Sequence, residues 1–239
     1  MNSPKVNFTG ICPQIKTAYK VCHIVNENLP HVSSTKVSPM FEKMKWKFTD
    51  SYDKFLNHNP LFPLSCSNAS EKKFFNLMLC QRELIRRMNN VRDCFSSKSK
   101  TDFERVNNTI SQLKFARLGN CMENADVSAA IMKMNGFNNV YTAHLKRGDE
   151  KIDHMVCLFN KDGSPFNGDW NKNTIILDSW TGVCDFAGNM FKKYENMFKD
   201  YFYIPRDGKF GFDHIKSLNL SDNELIQLKQ SYPELLFKK

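Results

Sequence analysis

Gly119-Asn120-Cys121-Met122-Glu123-Asn124-Ala125 is the stretch on which the reading of this chain turns. A glycine and a polar residue precede a cysteine, and helix-compatible sequence follows at once. Between Met122 and Met134 stand Ala125, Ala129, Ala130, Ile131 and Met132, good helix formers whose small members allow close packing. Gly136 supplies the stop, because a helix end favours a residue that tolerates the left-handed region. Cys121 therefore falls at the first turn of a predicted helix. The exposed N–H groups and the dipole there favour an anion, so a cysteine at that place is a candidate thiolate nucleophile. A buried, inert thiol is the competing reading of a cysteine taken alone.

Downstream of the helix the apolar period shifts from 3.6 to 2. Residues 140–146 read as a strand, Gly148-Asp149 as a turn and 152–160 as the returning strand, followed by a loop of turn formers over 161–173. Residues 174–180 read as a third strand, with Ile175, Ile176 and Leu177 consecutive and so suited to burial on both faces. Residues 186–202 are amphipathic at helical spacing, and Ser221-Asp222-Asn223-Glu224 has the capping-box form that opens a C-terminal helix.

Upstream, Thr101-Asp102-Phe103-Glu104 has the same capping form and opens a helix that leads towards Gly119. Residues 70–94 predict a long helix, since Phe74, Phe75, Met78, Leu79, Leu84, Ile85 and Met88 recur at three and four. Met44, Trp46 and Phe48 alternate like a strand, and Asn57-His58-Asn59-Pro60 with Pro63 breaks the chain. Residues 1–40 read as an irregular lead-in with a short helix near Ile15 to Val25. The fold class is α+β. Residues 1–100 form a mainly helical part, and residues 101–239 carry the Cys121 helix, the antiparallel strands and the C-terminal helices. Whether both parts share one domain stays open at this level.

Composition narrows the function. A 239-residue chain with 20 phenylalanines and 41% apolar residues supports a full core. The net charge of +9 is spread along the chain, and its densest cluster, Arg82, Arg86, Arg87 and Arg92, reads as one helix face, so nucleic acid is not the expected partner. Eight cysteines contain no C-x-x-C pair, so no metal site is expected. Lys5, Asn7 and Pro13 interrupt any secretory-signal core, and there is no apolar run long enough for a membrane helix, so reduced thiols in a cytosol are expected.

A cysteine nucleophile needs a base for its proton and a carboxylate to hold that base in one tautomer. His154 opens the strand Asp153-His154-Met155-Val156-Cys157-Leu158-Phe159, sharing a face with Val156 and Leu158 while Met155, Cys157 and Phe159 point away. Asp178 ends the strand Ile175-Ile176-Leu177-Asp178, on the face of Ile176 and Trp180. Side-by-side pairing would bring His154 and Asp178 within reach. His144 and Asp185 are their rivals, and Glu123 reads as a helix-dipole partner in the first turn.

The pieces Gly-Asn-Cys-x-Glu-x-Ala, Asp-His entering a strand, and Leu-Asp-x-Trp-x-Gly together resemble the cysteine-triad effectors of bacterial pathogens, a group of proteases, glutamine deamidases and transglutaminase-like proteins. The resemblance covers about residues 115–190 and rests on the order cysteine, histidine, aspartate. It implies a papain-like or transglutaminase-like core, with the nucleophile helix packed on an antiparallel sheet. It also implies an acyl-enzyme route without cofactor: Cys121 attacks an amide carbonyl, and His154 protonates the departing amine. The implied substrate is a host protein, reached by export from a bacterial cytosol into a host cytosol. Glutamine deamidation or transamidation ranks first, peptide cleavage second, and a non-catalytic papain-like binding module is the reading from another class. One departure stands out. Papain-like proteases carry an oxyanion-hole glutamine six residues before the cysteine, whereas position 115 here is Phe and Gln112 lies three residues earlier. The oxyanion donors would be the Cys121 N–H with Asn120 or Gln112, and Trp180 would serve as core or as a substrate-positioning wall.

Overall fold

In the computed structural model the described residues are 12–31, 33, 69–95 (side chains 81–94 only), 99–197 and 208–237. In chain order the elements are α1 (Pro13–Asn28), α2 (Ala69–Phe95), α3 (Asp102–Ser111), a π-helical turn (Gln112–Ala116), α4 (Cys121–Met134), β1 (Val140–Arg147), β2 (Glu150–Asn160), β3 (Thr174–Asp178), β4 (Val183–Phe186), α5 (Ala187–Met197), β5 (Phe210–Ser217), α6 (Asp222–Ser231) and a closing 3-10 turn (Pro233–Leu235). The strand-like alternation at 44–48, the break at 57–63, the side chains of Phe74, Phe75, Met78 and Leu79, and the predicted helix beyond Met197 lie outside the described residues.

The architecture is α+β: six helices among the described residues and a five-stranded antiparallel sheet in the order β4-β3-β2-β1-β5. α4 is its central helix. Eleven of its 14 residues are buried, so it is covered on all sides rather than along one stripe. Ala125, Ser128, Ala129 and Ala130 make that possible, because small side chains let α1, α3 and the sheet approach closely. Gly136 ends α4 with φ of +95°, as a left-handed terminator should.

Two apolar layers lie on opposite faces of the sheet. On one, α1, α3 and α4 pack over Cys157, Phe159, Ile175 and Leu177, with Leu228 and Leu235 from the C-terminal elements. On the other, Val156, Leu158, Ile176 and Trp180 pack under Ala187, Met190, Phe191 and Tyr194 of α5, a stripe at helical spacing. Each fully buried aliphatic or aromatic side chain here contributes about 1.5–3 kcal/mol. α1 is longer than the predicted short helix and is an integral part of the first layer, with Ala18, Val21 and Val25 fully buried.

β1 and β2 form the expected hairpin around Gly148-Asp149, with Gly148 at φ +59° where a two-residue loop needs a positive value. β3 is buried along its whole length but stops at Asp178, two residues short of the predicted end. Two strands were not legible as strands. β4 is only four residues long, and β5 pairs with β1 through a register shift next to His214, whose φ is +47°. No helix among the described residues is long and apolar enough to cross a membrane.

Candidate active site

Cys121 occupies the first position of α4, with Asn120 as its extended N-cap. Gly119 is needed just before it. A Cβ there would overlap the buried Leu113 side chain and crowd the His31 ring at 3.1 Å. Glu123, two residues into the helix, accepts the Asn120 N–H at 2.9 Å, and Asn124 donates to the Asn120 carbonyl at 2.8 Å and to His31 Nε2 at 2.8 Å. The turn that presents the sulfur is therefore held by both backbone and side chain. Cys121 itself is half-buried.

The sheet opens beside it. β2 pairs with β3 only from Cys157↔Leu177 to Asn160↔Thr174, so His154 lies beyond the ladder. Extending that register sets Val156 opposite Asp178, which makes His154 and Asp178 a diagonal pair on one face, within reach of long side chains. His154 Nε2 and Asp178 Oδ2 are 2.7 Å apart, with both side chains essentially inaccessible. α4 lies on the opposite face of the sheet, yet its first residue packs against the second apolar layer, where β3 has ended. There the Cys121 sulfur lies near enough to His154 to help raise the imidazole pKa.

Burial works against a charged imidazole, but the Asp178 carboxylate outweighs it, and with the Cys121 sulfur it pushes the His154 pKa up to about 10. Asp178 shows the matching response. Burial would raise it, but His154, the Thr181 N–H and the Tyr194 hydroxyl hold it below its ordinary value. The two directions agree on a buried imidazolium–carboxylate pair. Tyr194 donates to Asp178 Oδ2 at 2.8 Å, and Thr181 N–H donates to Oδ1 at 3.1 Å. Asp178 is thus a turn former and the partner of His154 at once, one oxygen for each task. Burial, and then Asp178, pushes the Tyr194 phenol well above its ordinary value, so it remains a donor.

Trp180 and Tyr194 cover the imidazole, with ring centroids 5.2 and 5.6 Å from it. Trp180 is 2% exposed and its indole N–H donates to Ser33 Oγ at 3.0 Å, so it seals the pair rather than facing a substrate. Ser33 in turn donates to Asn120 Oδ1 at 2.8 Å. Since the indole can only donate, Ser33 has one proton left to give, and this fixes the Asn120 amide with its oxygen towards Ser33. Gln112 is turned inward. Its amide donates to the Leu118 carbonyl at 3.1 Å and to the Met88 sulfur at 3.3 Å, which shapes the approach to α4.

The rivals lie elsewhere. His144 stacks edge-on with His214 at 5.9 Å, and burial lowers its pKa. Asp185 pairs with Lys193 at 2.7 Å. Glu123 is tied to Arg92 by two hydrogen bonds, at 2.7 and 3.0 Å. Tyr194, Thr181, Ser33 and Arg92 were not read as site residues. Tyr194 carried one usable signal, a phenol on the buried stripe of α5 that needs a polar partner. Ser33 carried none. The chain matches no family model, no curated protein and no solved structure.

Proposed function

We propose that this protein is a cysteine-nucleophile enzyme with a papain-like or transglutaminase-like core that acts through an acyl-enzyme on an amide of a protein. Glutamine deamidation or transamidation of a host protein is the leading reaction. One observation carries the reading: His154 bonds to buried Asp178 at 2.7 Å, and the Cys121 sulfur lies close enough to the same imidazole to help raise its pKa. An imidazole whose pKa is raised to about 10 keeps its proton at neutral pH, so it has one to give to a departing amine.

The chemistry follows from that pair. The Cys121 sulfur adds to the amide carbonyl carbon, and the oxygen takes the negative charge. The N–H of the first helical residue has no intrahelical acceptor and faces that oxygen, with the Asn120 amide as second donor. His154 passes its Nδ1 proton to the amine nitrogen, the C–N bond breaks, and a thioester remains. Water, or an amine, then gives its proton back to His154 as it attacks the thioester, and Cys121 leaves. Asp178 keeps the imidazole oriented throughout.

The test is labelling with an iodoacetamide probe. Fast labelling at Cys121 is expected, lost in Cys121→Ala, strongly reduced in His154→Ala and retained in His144→Ala. Equal labelling of wild type and Cys121→Ala ends the enzyme reading, and a loss confined to His144→Ala moves the base. Mass spectrometry of host-cell protein treated with the chain then separates the reactions: an amide converted to an acid, an amine adduct, or new chain termini. No change in any host protein, with Cys121 still reactive, leaves the binding-module reading in place of the enzyme.

A further inference from the structure

Cys22 of α1 and Cys184 of β4 face each other with their sulfurs 3.1 Å apart, 3% and 1% exposed. This is inside ordinary contact between two unbonded sulfurs and about 1 Å from a disulfide. We infer that Cys22 and Cys184 form a cross-linking site, closed to a disulfide by a low-molecular-weight disulfide of the glutathione class, that staples α1 to the β3–β4 hairpin.

The position explains the pairing. Cys157, Leu177 and Cys184 form one row across β2, β3 and β4 on the face under α1 and α4. Cys157 and Cys184 are two strands apart, about 9–10 Å, which is beyond the reach of a disulfide. Cys184 therefore finds its partner in the helix above, not along the sheet. Cys12 is engaged with Gln14 at 2.8 Å and Cys94 is exposed on α2, and among the described residues no other two cysteine sulfurs are within hydrogen-bond range. α1 packs directly on β4, with Tyr19, one turn before Cys22, against the same apolar cluster, so this stretch of α1 is already docked there.

The reaction is two exchanges. One of the two sulfurs, as thiolate, displaces one thiolate from the external disulfide, and the resulting mixed disulfide is then attacked by the other. One protein S–S bond forms, the external S–S bond breaks, and two low-molecular-weight thiols leave, so the chain loses two hydrogens. The hydrogen bond to Cys184 and burial hold Cys22 as a thiol while α1 is seated, so exchange waits for α1 to lift. The link lies directly behind the hairpin that carries Asp178, and Cys121 takes no part in it.

The experiment uses the full native chain, incubated with oxidised glutathione in urea just below the unfolding midpoint, then alkylated in denaturant, digested and mapped. The expected result is a Cys22–Cys184 linked peptide, missing in Cys22→Ser and Cys184→Ser, with the thermal midpoint of the oxidised chain raised and returned to its starting value by a phosphine reductant. Recovery of both cysteines alkylated, or of Cys184 linked to Cys157, overturns the inference. Probe labelling of Cys121 in the same sample reads the proposed enzyme separately.

Discussion

Arg92 of α2 grips both carboxylate oxygens of Glu123, at 2.7 and 3.0 Å, and the same carboxylate accepts the N–H of Asn120, the residue before Cys121. An arginine that the sequence placed in a basic helix face is instead the outer end of a brace on the Cys121 turn. Burial opposes the Glu123 charge, but Arg92 and the Asn120 N–H hold its carboxyl below the ordinary value.

Arg92→Ala leaves Glu123, 3% exposed, without its cation. A loss of about 3 kcal/mol is expected from breaking a largely buried pair, together with slower labelling of Cys121 as its turn loosens. Urea unfolding and the probe rate measure the two effects. Arg92→Met combined with Glu123→Gln should recover part of the stability, because no uncompensated charge remains. A single variant as stable as wild type would remove the brace from the account.

The His154–Asp178 pair sets a pH window. His154 is raised from 6.5 to about 10, so its contribution is complete below about 6.5 and is lost as pH rises through about 10. Asp178 is lowered from 3.8, so its contribution is complete above that value and is lost as pH falls through the depressed one. Stability from this pair should therefore be greatest between about pH 4 and 6.5 and decline on the alkaline side. Urea midpoints across pH check this, and His154→Gln should flatten the decline between pH 6.5 and 10. An unchanged slope in that variant would show that the imidazole is not the group responsible.

Tyr194→Phe removes one donor from a buried carboxylate and leaves the ring that covers His154. Loss of a hydrogen bond to a charged group costs about 1.5–3 kcal/mol. The thermal midpoint should fall, with Cys121 labelling largely kept, since His154 retains its other contacts. Abolished labelling would give the phenol a more direct role.

Two glycines should respond with opposite signs. Gly119→Ala forces a methyl into Leu113 and should cost about 1–3 kcal/mol through overpacking. Gly188 lies in the first turn of α5, where an added Cβ would make ordinary contact with Trp170 at 3.6 Å. Gly188→Ala should stabilise by roughly 0.5–1 kcal/mol. Thermal melts of both variants give the comparison.

Much of the framework was legible because it is local. The Thr101 and Ser221 caps each signal a helix start within four residues, and both boxes close as read. The Cys121 helix, the β1–β2 hairpin and the buried β3 follow from small residues, a turn glycine and an apolar run. β4 and β5 did not. Four residues carry too little periodicity, and β5 depends on a partner some seventy residues away.

For the site, the sequence by itself determined which chemical groups are present and which face of its strand each one shares. His154 lies with Val156, and Asp178 with Ile176, because side chains alternate along an extended chain whatever the fold. Only the tertiary structure decided that β3 stops where the imidazole begins, so that the start of a helix on one face of the sheet meets a histidine on the other. It also decided that Tyr194, Ser33 and Arg92 close around them. Those contacts join residues far apart along the chain, and their energy comes from burial that no local pattern records.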